Sequence, residues 1–158
     1  MDSLKEMVGQ AVEPFVVPEK VVTILRGISG AGKSTYTNQH FRDALVCSAD
    51  HYFGHGANYR FNASLLGKAH DQCFQLFRDA VQAGKPSIVL DNTNTMLKEF
   101  KRYIELAEKF GYTVNVVRLV VDPAVAAKRN VHGVPPSKVQ QMQDRFVDYP
   151  GETIIHNN

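Results

Sequence analysis

The chain has no tryptophan, two cysteines in 158 residues, and almost no excess of either charge, with 18 Lys plus Arg against 16 Asp plus Glu. Cys47 and Cys73 lie far apart and form no C-x-x-C pair, which argues against a disulfide framework and a zinc site. They read as buried free thiols, and that fits a reducing, cytoplasmic location. A formal charge of +2 and a pI near 8.5 permit contact with nucleic acid but fall short of the strongly basic surface that would imply it. No run of about 18 apolar residues occurs, and the N-terminus lacks the apolar centre of a signal peptide, so membrane spanning and secretion are both disfavoured. Internal repeats and low-complexity tracts are missing too. What remains is 44% hydrophobic content in a chain long enough to bury one core. We read residues 20–158 as that domain and 1–19 as an N-terminal arm, in which Leu4, Met7, Val8 and Val12 keep a loosely helical spacing until Pro14 and Pro18.

The densest signal is Gly27-Ile28-Ser29-Gly30-Ala31-Gly32-Lys33-Ser34, a full G-x-x-x-x-G-K-[ST] spacing that follows the apolar run Val21–Leu25. This is a P-loop. Its backbone N–H groups must turn inward on an anionic phosphate chain, and glycines allow the angles and the close approach that a Cβ would obstruct. The expected nucleotide contacts are Gly27, Ser29, Gly30, Ala31, Gly32, Lys33, Ser34 and Thr35. Lys33 reaches the β- and γ-phosphates, Ser34 offers its hydroxyl to Mg2+, and the helix starting near Lys33 points its positive end at the same phosphates.

Apolar runs of strand type recur at Ala44–Ser48, Ser87–Leu90 and Thr113–Val121, with a further short strand at Thr153–Ile155. Between them lie helical patterns. The longest follows Asn62, a candidate N-cap, with Leu66, Ala69, Cys73, Leu76, Phe77, Ala80 and Val81 on one stripe that Gly84 closes. Another carries Phe100, Tyr103, Ile104, Ala107 and Phe110, and Asp122-Pro123 starts a short basic helix ending at Lys128-Arg129. A final helix has Val139, Met142 and Phe146 on its apolar face. Such alternation implies parallel strands and right-handed crossovers, and so a three-layer α/β sandwich with a small helical lid.

Ligands of such sheets sit outside the carboxyl ends of the strands. There the first strand delivers the P-loop, the second Asp50, the third Asp91-Asn92-Thr93-Asn94, and the element after the fourth Lys128, Arg129 and His132. A phosphate cradle, two carboxylates and a basic cluster are the parts of phosphoryl transfer from a nucleoside triphosphate to a hydroxyl. Asp91 suits a Walker-B-like carboxylate near Mg2+, or a helix cap. Asp50 suits a proton acceptor, or a turn cap, and Arg129 suits a lid arginine, or a charge placed on its own helix dipole. His51 and His55 have no third ligand to complete a zinc set. Tyr52, Phe53, Tyr59 and Phe61 form either local packing or a stacking platform beside Arg60.

The segments Leu25–Ser34, Ser48–Phe53, Tyr59–Asn62, Asp91–Asn94 and Arg129–Val134 together resemble the kinase module of the polynucleotide kinase group of P-loop proteins. They are especially similar to its small ubiquitin-ligase-binding-protein-like domains. The resemblance implies ATP- and Mg2+-dependent phosphorylation of a nucleic-acid hydroxyl, with Asp50 as general base. It also implies that the segment around Arg129 is a lid, and that Lys33 and Arg129 act with Asp50 in catalysis. Asp50, Tyr52, Phe53, Tyr59, Arg60, Asn92 and Asn94 are the expected acceptor contacts. Ala49 and Phe53 flank Asp50 where phage polynucleotide kinases place arginines, which brings in a related acceptor, a 5-hydroxymethyl pyrimidine in DNA. A small-metabolite or nucleoside kinase, and a nucleotide-dependent binding module with slow ATPase, are the other two classes.

Overall fold

The computed structural model describes residues 19–130 and 133–158. The arm with Leu4, Met7, Val8, Val12, Pro14 and Pro18, and the lid position His132, lie outside the described residues. In chain order the elements are β1 (Val21–Arg26), α1 (Lys33–His40), β2 (Leu45–Cys47), α2 (Leu66–Gln82), β3 (Ser87–Asp91), α3 (Leu97–Lys109), β4 (Thr113–Val120), α4 (Pro123–Arg129), α5 (Pro136–Arg145) and β5 (Thr153–His156). Three 3-10 turns, Ala49–Phe53, Gly56–Asn58 and Ala63–Leu65, fill the connection between β2 and α2.

The five strands form one parallel sheet in the order β2-β3-β1-β4-β5. β1 is central, with Val21 opposite Ser87 on one side and Thr113 on the other. Its side chains alternate between two helical layers, as the two-residue period of a strand requires. Val22 and Ile24 join Ile88, Leu90 and Val116 against α2 and α3, in a core with Cys73, Phe77, Phe100, Tyr103 and Ala107. Leu25, Val89 and Val117 face the other way, onto Tyr36 of α1. Leu119 near the end of β4, together with Ile28, Ala31 and Val121 past the strand ends, packs on Ala126 of α4 and Val139 of α5. The expected three-layer α/β sandwich is the observed one.

Several local expectations shift. The second strand shrinks to Leu45–Cys47, because Ser48 already caps the following 3-10 turn by accepting from Asp50 N. Asn62 does cap, but it caps the turn Ala63–Leu65 rather than α2 itself. On α2 the buried stripe is Ala69, Cys73, Phe77, Ala80 and Val81, whereas Leu66 and Leu76 are exposed. Asp122 caps α4 as read, accepting from Ala124 N at 2.8 Å ahead of Pro123. Among the described residues no helix is long and apolar enough to cross a membrane.

Both cysteines are free and buried. Burial, with Cys73 close by, pushes the Cys47 thiol up to about 12, and burial also raises Cys73. Thiolate is the reactive form, so neither should react in the folded protein near neutral pH. Ellman's reagent at pH 8 is expected to find no fast-reacting thiol in the native chain and two after unfolding; rapid native labelling would contradict the packing of α2 on β2.

Candidate active site

The loop from Gly27 to Gly32 leaves the carboxyl end of β1, the central strand, and enters α1 at its N-terminus. Gly30 (φ 86°) and Gly32 (φ 92°) take left-handed backbone angles that glycine accepts freely. At Gly30 space also excludes a side chain, since a Cβ would lie 2.0 Å from the Ala126 carbonyl oxygen; one on Gly32 would lie 2.5 Å from Nδ2 of the Asn157 side chain, which would have to move. Gly32 gives α1 no side-chain cap, so the first N–H groups of the helix are left for an anion. Ser34 and Thr35, in that first turn, are exposed, and Ala31 is buried beneath the loop.

Lys33 folds back over its own loop, donating to Gly27 O at 3.0 Å and to Ile28 O at 3.4 Å. Burial pushes its ammonium below the usual lysine range, while the charges of Asp91 and Asp50 pull it up. Asp91 ends β3 opposite Leu25, and Ser34 Oγ lies 3.5 Å from its Oδ2. Its carboxyl is raised by burial and by Asp50, against the pull of Lys33. A hydroxyl and a carboxylate oxygen facing the anion cradle are hard donors of the kind Mg2+ takes, one or two from protein with phosphate and water completing the shell. No group of three or more His, Cys, Asp or Glu that could hold a metal occurs among the described residues. The residues therefore fit a nucleotide-bridged Mg2+ and do not form a closed protein cage.

Asp50 is exposed on the first 3-10 turn, beyond β2. Its backbone is pinned twice, since Asp50 N donates to Ser48 Oγ at 3.3 Å and the preceding Ala49 N donates to Asn92 Oδ1 at 2.9 Å. The Tyr59 hydroxyl donates to Asp50 Oδ1 at 3.2 Å. Burial first, and then Asp50, push that phenol up to about 12. His51, on the same turn, is pushed down by burial and by His55, whose ring centroid is 4.8 Å away.

Some expected acceptor contacts are placed elsewhere. Asn94 is buried at a φ of 48°, donating through Nδ2 to Leu25 O at 2.8 Å, so its side chain braces β1 instead of facing a substrate. Asn92 has its amide engaged at both ends, with Ala49 N and, at 3.6 Å, Cys73 Sγ. Phe53 is 6% exposed and belongs to the α2 core, with Tyr59 and Phe61 edge-on to it, so its faces are not open for stacking. Arg60 donates to the carbonyls of Ala57 and Tyr59 in its own loop. Tyr52 and Phe61 remain on the surface, Phe61 at 54%.

Arg129, at the end of α4, donates to Asn157 O at 2.7 Å, and Asn157 Nδ2 donates to Ala31 O at 2.8 Å. The residues after β5 thus lie against the P-loop on the side away from Asp50. Asn157 carries no sequence signature. The rule that strand ends gather at one edge would have found it, had β5 been placed beside β4. Arg26 is the other functional neighbour that pattern misses, a fully buried guanidinium one residue before the loop.

A central P-loop, a carboxylate at the end of the adjoining strand and a second one strand further out define a P-loop kinase-like domain. The chain belongs to the AAA domain family, whose profile matches residues 22–147. It is 32% identical over 140 residues to NEDD4-binding protein 2 of Homo sapiens, an alignment covering 82% of this chain and 8% of that protein. The chain therefore spans a small part of that relative. Its fold is similar to a structure of the Pnkp1/Rnl/Hen1 RNA repair complex, with a TM-score of 0.65 at 13% identity over 85% of this chain and 46% of that one. It is similar also to the Mycobacterium tuberculosis APS kinase CysC in complex with AMPPNP and APS, with a TM-score of 0.62 at 12% identity over 90% of this chain and 91% of that one. At these identities the structural likeness is one of fold.

Proposed function

We propose that this domain is an ATP- and Mg2+-dependent kinase that transfers the γ-phosphate to a hydroxyl of a nucleic acid, in the manner of a polynucleotide 5′-hydroxyl kinase. The observation that carries it is an exposed Asp50 carboxylate at the P-loop edge of the sheet, near enough to Lys33 and Asp91 for their charges to act on one another. In this reading the loop N–H groups and Lys33 would hold the β- and γ-phosphates, and Ser34 and Asp91 would hold the cation. Mg2+ supplies neutralisation of charge on the phosphate oxygens. Asp50 accepts the proton as the acceptor O–H bond breaks and the O–Pγ bond forms, with ADP leaving. Arg129 exchanges Asn157 O for the phosphates. Two buried free thiols support a reducing, cytoplasmic location.

The exposed Tyr52 and Phe61 rings near Asp50 support a second acceptor of the same class, a hydroxymethyl group on a DNA base, because a displaced base can stack on aromatic faces. Transfer of labelled γ-phosphate to single strands, duplexes, hydroxymethylated DNA and nucleosides tests both. The expected result is transfer to a nucleic acid, falling steeply with salt as counterion release requires. Asp50→Asn should lower it by about 10² to 10⁴ with ATP binding retained. Equal use of free nucleosides would make the domain a small-metabolite kinase, and ATP hydrolysis indifferent to every acceptor would make it a nucleotide-dependent binding module.

A further inference from the structure

The loop after Asp50 is built to bring one hydroxyl back to it. Gly54 turns the chain at a φ of 101°, where a Cβ would sit 2.6 Å from Asn58 O. Arg60 N then donates to Phe53 O at 2.8 Å, closing the loop on itself. Tyr59 is held at that closure with its ring 6.2 Å from, and steeply inclined to, the buried Phe53 ring. Its hydroxyl reaches Asp50 Oδ1, nine residues back in the chain, at 3.2 Å. The other charged and titratable groups acting around Asp50 are Lys33 from α1, Asp91 from β3 and His51 beside it. From α2, Cys73 couples to Asp91.

Resting on the reading of Asp50 as proton acceptor, we propose that Tyr59 is a positioning residue for the transfer: its hydroxyl holds Asp50 Oδ1 and leaves Oδ2 for the incoming hydroxyl. An exposed carboxylate on a short turn rotates freely, and a productive attack needs it within hydrogen-bond reach of the proton it receives. One donor on one oxygen removes most of that freedom. The role differs from base stacking, in which the ring face of Tyr59 would touch the acceptor and its hydroxyl would be dispensable.

A double-mutant cycle separates these roles. Wild type, Tyr59→Phe, Asp50→Ala and the double variant are assayed with a single-stranded 5′-hydroxyl oligonucleotide and with hydroxymethylated duplex DNA. Melting midpoints serve as the folding control. Tyr59→Phe should lower kcat about tenfold, leave KM for ATP and for the oligonucleotide within about twofold, and add nothing in the Asp50→Ala background. A loss that persists in the Asp50→Ala background, an undiminished kcat, or a raised acceptor KM at unchanged kcat overturns the inference. The reading beneath it fails differently, through an Asp50→Ala variant that transfers at full rate or a wild type that labels neither acceptor; either result removes the inference as well.

Discussion

Replacing Lys33 by alanine is expected to lower ATP turnover by a factor of about 10² to 10³ while the protein stays folded. Its ammonium is bonded to the carbonyls of Gly27 and Ile28 and, among the described residues, to no carboxylate, so the variant takes one donor from two carbonyls of the loop and breaks no ion pair. Lys33 is itself partly buried, and this gives the variant a second signature. Burial holds the folded-state pKa below that of the unfolded chain, so at neutral pH the charged lysine opposes folding. In the window between the two pKa values the unfolded chain binds more protons, and stability rises with pH. Wild type without nucleotide should therefore gain stability as pH climbs toward the ordinary lysine range, and Lys33→Ala should lack that gain. Melting curves across alkaline pH, with and without MgATP, measure both effects, since a bound ligand raises the midpoint by mass action. Undiminished turnover, or an undiminished MgATP shift, would dismiss the P-loop as the nucleotide site.

The parts of the site that could be read in the sequence are those whose chemistry is local. Eight contiguous residues specify the loop, and Asp50 and Asp91 each close an apolar run, which places both at the carboxyl edge of a parallel sheet. What could not be read was set by distant partners. Tyr59 looks like any other aromatic in its loop, and only the turn at Gly54 gives its hydroxyl to Asp50. Phe53 looks equally available, but its place on the 3-10 turn points it into α2. Asn92 and Asn94 have the composition of a binding motif and the surroundings of braces, one holding the Asp50 turn and the other β1. The contact of Asn157 with Ala31 spans 126 residues, and a sequence window carries no trace of it.

The largest effect on stability is expected at Arg26, where an arginine at the end of the buried central strand is itself fully buried. Its Nε donates to Asn94 O at 2.8 Å, and Nη2 donates to Thr95 O at 3.0 Å and Val147 O at 2.6 Å. Nη1 pairs with Glu152 Oε2 at 2.7 Å, the two side chains being 0% and 4% exposed. The rings of Phe100 and Phe146 lie 4.9 Å from the guanidinium carbon. One side chain thus joins the base of the P-loop to the segment after β3 and to the stretch before β5, a fork that lysine cannot reproduce. Arg26→Ala removes the shortest-range positive partner of a buried carboxylate, empties the space between two rings and takes the guanidinium donor from Asn94 O and Val147 O, while Thr95 O keeps Val147 N at 2.9 Å. Breaking a buried pair from one side costs about 3 to 5 kcal/mol, a large share of the stability of a domain this size. Urea denaturation should show that loss as a lower midpoint at unchanged slope. Arg26→Met should be similarly damaged. Adding Glu152→Gln to it should restore part of the loss, because among the described residues the buried Glu152 carboxylate then keeps only the Tyr149 N–H and the longer ion pair from Arg118 Nη1, 3.8 Å from Oε1. If Arg26→Ala keeps the wild-type midpoint, or Glu152→Gln deepens the Arg26→Met defect, the guanidinium is not what ties these three segments together.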